Sequence, residues 1–104
     1  MIYVFDIDGT ICNNTFGKYD DAQPIKNRIK KINDLYDSGN KIIFFTARGM
    51  NTYSGDIKKV NEVYYNFTKE QLNKWEVKFH SLILGKPQAD LYIDDKGIKD
   101  VDFF

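Results

Sequence analysis

Six residues carry chemistry that a folded chain does not need for its own sake: Asp6, Asp8, Thr46, Lys86 and the pair Asp94 and Asp95. The first two follow directly on the apolar run Ile2-Tyr3-Val4-Phe5. Two carboxylates thus crowd the end of a segment whose composition asks for burial on both faces. Crowded negative charges are costly unless donors or a cation offset them, and a hard divalent ion such as Mg²⁺ is the usual companion of clustered carboxylates. Gly9 frees the backbone to turn after them, and Thr10 is expected to hold that turn through a local hydrogen bond.

The elements that must position these groups alternate. Ile2 to Phe5 reads as a strand, and residues 11 to 23 as a polar loop with Asn13, Asn14, Gly17, Asp20 and Asp21. Pro24 opens a helix whose apolar positions Ile25, Ile29, Ile32, Leu35 and Tyr36 fall at helical spacing, and Gly39-Asn40 ends it. Lys41 to Thr46 is a second strand. This strand, helix, strand order is a βαβ unit with parallel strands and a right-handed crossover, which sets Asp6 and Thr46 at the same edge of the sheet. Ligands of such sheets bind at the carboxyl ends of the strands.

Further along, Tyr53 to Phe67 has weak helical periodicity. Thr68 with Gln71 three residues on forms a capping-box pattern that predicts a separate helix over about 69 to 79. Ser81 to Leu84 and Leu91 to Ile93 read as a third and fourth strand, and Val101 to Phe104 as a short edge strand. Lys86 follows the third strand, and Asp94-Asp95 the fourth.

The 104 residues form one domain, 1–104, with enough length for a single core. Fifteen basic residues balance fifteen acidic ones, which disfavours a nucleic-acid or membrane partner and favours a small one. No apolar run reaches membrane-spanning length and the start lacks a basic leader region, so a cytoplasmic protein is expected. Cys12 is the single cysteine and reads as a small buried hydrophobe; His80, the single histidine, reads as structural. The cluster Lys26, Arg28, Lys30 and Lys31 reads as a solvated helix face, and Trp75 with its neighbouring tyrosines as core.

Asp6-x-Asp8-Gly9-Thr10, then Thr46, then Lys86, then Asp94-Asp95 resembles the motif order of the haloacid-dehalogenase superfamily over nearly the whole chain. The resemblance implies an α/β, three-layer Rossmann-like fold with a central, mostly parallel sheet. Because the intervals 11–23 and 49–80 are short, it also implies no cap domain. It implies a Mg²⁺-dependent phosphomonoesterase: Asp6 as nucleophile, Asp8 as general acid and base, Thr46 and Lys86 on the phosphoryl oxygens, and the metal held by Asp6, the Asp8 carbonyl, Asp94 and Asp95. Arg48 reads either as a contact to a substrate carboxylate or phosphate or as an exposed arginine in a structural ion pair. Only seven residues, 87 to 93, separate Lys86 from Asp94, so that connection must descend and climb the sheet on a tight path.

The chain is also similar to small phosphatases of bacterial capsule and lipopolysaccharide assembly. That implies a phosphorylated sugar or polyol as substrate and allows a homo-oligomer. Three other readings compete. A polynucleotide-end phosphatase is disfavoured by the neutral charge. A phosphoacceptor signalling domain would place its Asp on a middle strand, and no middle strand here ends in Asp. A non-catalytic interaction domain leaves the chemically competent motif positions unexplained.

Overall fold

A computed structural model describes residues 1–104. Strands β1 (Ile2–Phe5), β2 (Lys41–Thr46) and β3 (Ser81–Leu84) form one parallel sheet in that order. Helix α1 (Lys26–Asp37) connects the first two, α2 (Ile57–Lys74) the second and third, and a short α3 (Asp100–Phe103) follows. No helix is long and apolar enough to cross a membrane.

Two right-handed crossovers that march the same way across a sheet lay their helices on one face. The burial follows that geometry. Tyr3 and Phe5 of β1 pair in register with Ile42 and Phe44 of β2, and Phe44 with Leu82 of β3, so these side chains share the face that packs under the helices. Phe5, Ile42, Phe44, Leu82 and Leu84 join Ile29 and Ile32 of α1 and Val60 and Leu72 of α2 in the core. The α3 helix lies on this face too, with Phe103 against the rings of Tyr3 and Phe5.

The opposite face has no helix. There Ile2 and Val4 are 65% and 59% exposed, and Ile83 is exposed as well. The expected third layer and the expected two-sided burial of the first strand are therefore corrected: the sheet has two layers. A third layer needs a helix in a connection that crosses back under the sheet, and the seven residues between Lys86 and Asp94 hold none.

Three further expectations change. Residues 57 to 74 form one helix, not two: Asp56 caps its start by accepting from the Lys59 N–H at 3.2 Å, and Thr68 sits buried in its middle. No glycine or proline interrupts that stretch, so the capping-box pattern has no helix end to cap. Leu91 to Ile93 forms no strand and is exposed. The expected edge strand at 101 to 104 is instead α3, anchored by an ion pair between Arg28 and Asp100 at 2.7 Å and by Arg28 over the Phe104 ring. Of the cluster expected to be a solvated face, Lys26, Lys30 and Lys31 are exposed, although Lys31 also faces the Phe103 ring, whereas Arg28 is half-buried beneath α3 and is corrected to a structural contact.

Candidate active site

The β1 strand delivers Asp6 to the carboxyl-terminal rim, and a compact turn follows. Gly9 takes φ +81, a left-handed backbone that glycine adopts without strain. The N–H groups of Thr10 and Ile11 both bond the Ile7 carbonyl, at 3.0 and 2.9 Å, while the Gly9 N–H bonds the Cys12 carbonyl at 2.9 Å. Backbone bonds hold the turn where a Thr10 side-chain bond was expected. The Asp8 carbonyl accepts no hydrogen bond within the chain and is free to serve a ligand.

Asp6 and Lys86, eighty positions apart, meet at this rim with Nζ 3.8 Å from the carboxylate. Burial pushes the Asp6 carboxyl above its ordinary value, and the Lys86 ammonium only partly opposes it. Lys86 is set there by its backbone, whose N–H bonds the Thr46 carbonyl at 3.1 Å. Thr46 closes β2 at the same end. It is 1% exposed, and its hydroxyl oxygen accepts the Arg48 N–H at 3.2 Å.

Asp8 is not free. Arg48 donates to both of its oxygens, from Nε at 2.9 Å and from Nη2 at 3.0 Å. Such a planar fork on a carboxylate is geometrically specific as well as strong. The guanidinium is itself enclosed, 1% exposed, with Thr68 of α2 accepting at 3.4 Å and the Tyr19 ring 4.7 Å from its centre. Of the two readings of Arg48, the structure shows the ion pair, and corrects the expected exposure: the arginine is buried, with its partner at the rim. Tyr19, Thr68 and Gln71, whose amide donates to the Tyr19 carbonyl at 2.8 Å, complete this support. Sequence reasoning passed over Tyr19 altogether; a signal was its place in a loop that must fold over the first strand's end.

Cys12 also faces Asp8, its thiol 3.6 Å from the carboxylate, and burial first and Asp8 second push that thiol up to about 12. A thiol so protonated is inert. His80 is structural as well: its ring stacks on Tyr36 and its Nδ1 accepts the Ile42 N–H at 3.0 Å.

Asp94 and Asp95 stand on the exposed segment after Lys86. The Lys96 N–H bonds Asp94 at 3.0 Å and, ahead of the neighbouring Asp95, holds its carboxyl below the ordinary value. The segment starts at the rim, since Lys86 lies over the Tyr92 ring at 4.3 Å. Yet no three Asp, Glu, His or Cys side chains gather closely enough to hold a metal ion. For Mg²⁺ the fit is therefore partial: the Asp6 carboxylate and the unpaired Asp8 carbonyl are suitable hard oxygen donors, and the acidic pair does not join them. Beside the rim, a cavity of about 610 Å³ opens between Met50–Gly55 and Pro87–Asp90, lined largely by polar groups.

No family model and no curated protein matches the chain. It is similar to the crystal structure of an MCSG target from Vibrio cholerae, with TM-score 0.91 and 28% identity over 98% of this chain and 85% of that one. No function is named for that target.

Proposed function

We propose that the protein is a capless, haloacid-dehalogenase-like phosphatase that hydrolyses a small phosphate monoester, with a sugar or polyol phosphate as the substrate class. One observation carries the reading: a half-buried carboxylate, Asp6, faces an ammonium, Lys86, at the carboxyl ends of parallel strands. A carboxylate can attack a phosphate dianion only where positive charge offsets both anions. Lys86 supplies part of that charge. Mg²⁺ on Asp6 and the Asp8 carbonyl would supply the rest.

In this scheme an Asp6 oxygen forms a bond to phosphorus as the ester P–O bond breaks, which gives an aspartyl phosphate and a leaving alkoxide. Asp8 gives the alkoxide its proton, then takes one from the water that cleaves the acyl phosphate. Both Asp8 oxygens accept from Arg48, so each transfer requires one of those bonds to open. Thr46 donates its hydroxyl to a phosphoryl oxygen once its buried position is reached by the substrate. The polar cavity beside Lys86 suits a hydroxyl-rich leaving group.

The test is a panel of sugar, polyol and aryl phosphates and a 3′-phosphorylated oligonucleotide, assayed with Mg²⁺ and with EDTA. Activity that needs Mg²⁺ and is abolished in Asp6→Asn is expected, because an amide oxygen cannot form the acyl phosphate. Hydrolysis that survives either EDTA or Asp6→Asn would remove this scheme.

A further inference from the structure

Because β1 is the outer strand, one side of its backbone is unpaired, and Ile2 and Val4 continue from it into the bare apolar face that Ile83 shares. An open edge of this kind is a template for another strand. The chain carries one segment suited to it. Leu91, Tyr92 and Ile93 are apolar and strand-prone, belong to no strand, and are 77%, 54% and 95% exposed. They run straight into Asp94 and Asp95, the carboxylates that the rim lacks.

The segment cannot reach its own edge in the useful register. Leu91 opposite Tyr3 would bring Asp94 level with Asp6, but Lys86 is tied to the far side of the sheet through the Thr46 carbonyl. From there the path crosses three strand spacings, about 14 Å, and descends about 18 Å, roughly 23 Å in all. The five peptide spans from Lys86 to Leu91 cover about 18 Å at full stretch.

We infer that Leu91–Ile93 of one copy adds to the β1 edge of a second copy of this chain, and so completes that copy's rim with Asp94 and Asp95. Between copies the limit is lifted, because docking sets the donor's rim relative to the edge, and the donor's own sheet does not. Two-fold symmetry makes each copy donor and acceptor, and mutual cover of the bare faces supplies apolar area for association. The shared rim rests on the phosphatase reading, whereas the strand exchange does not.

Light scattering on the full chain is expected to give twice 12.2 kDa. A Val4→Cys chain refolded with a Tyr92→Cys chain under mild oxidation is expected to form a disulfide between the two, with buried Cys12 left out. A single-chain mass, or a double-cysteine variant that links only within itself, overturns the exchange. Asp6→Asn refolded with Asp94→Asn is expected to recover about a quarter of wild-type activity, since half of the pairs are mixed and each mixed pair has one intact rim. A cross-linked, active protein whose mixed variants stay silent overturns the shared rim. A wild type that cross-links but hydrolyses no phosphate ester sinks the phosphatase reading and leaves the exchange standing.

Discussion

Asp6 is the residue whose environment works against it. Burial raises its carboxyl, so the folded chain holds that proton more tightly than the unfolded chain does. The associated stability is fully present below the unfolded carboxylate value, about 3.9, and is lost as pH rises through the higher folded value. At neutral pH the charged form therefore weighs on the fold. Asp6→Asn is expected to raise Tm at pH 7 and to raise it less at pH 4. A loss of Tm would show that attraction to Lys86 outweighs burial, and a gain equal at both pH values would show that the two cancel. A group that costs stability where it stands is the pattern expected of a functional residue.

Among the elements, α2 and the turn before it are fitted most closely. Gly49 has φ +78, its N–H donates to the Tyr19 hydroxyl at 3.0 Å, and a Cβ there would lie 2.6 Å from the Tyr64 ring. Gly49→Ala is expected to cost about 2–4 kcal/mol, read as a lower urea midpoint at unchanged slope. The three observed strands and α1 were legible because apolar runs and a proline-to-glycine interval mark them unambiguously. The unity of α2 was not: Thr68 looks like a cap by type, but it is buried as the acceptor of Arg48, a contact set twenty positions away. The 91 to 93 segment misled for a related reason. Its composition is that of a strand, and whether a strand forms depends on an edge within reach. At the site, the type and order of Asp6, Thr46 and Lys86 were readable from the motifs. The capture of Asp8 by a buried Arg48 was not: an ion pair of Arg48 was one of two readings, but its partner lies forty positions away and only the fold brings the two together.

As a whole, the molecule measures 37 × 32 × 21 Å, thin in one direction as a two-layer fold must be. One core under one sheet face leaves little reserve, since a domain of this size is stable by about 5–15 kcal/mol. Leu72 of α2 is fully buried in that core. Leu72→Ala is expected to cost about 2–4 kcal/mol and to lower Tm by about 10–20 °C, measured calorimetrically. A shift of only a degree or two would mean that the layer carries less of the stability than its burial suggests. The same thinness puts the rim and the longest helix in mechanical contact. Arg48 is keyed at one end into Asp8 and at the other into Thr68, so the two are geared together. A displacement of Asp8 is therefore opposed from the middle of α2, through a single planar guanidinium that the Thr68 hydroxyl braces.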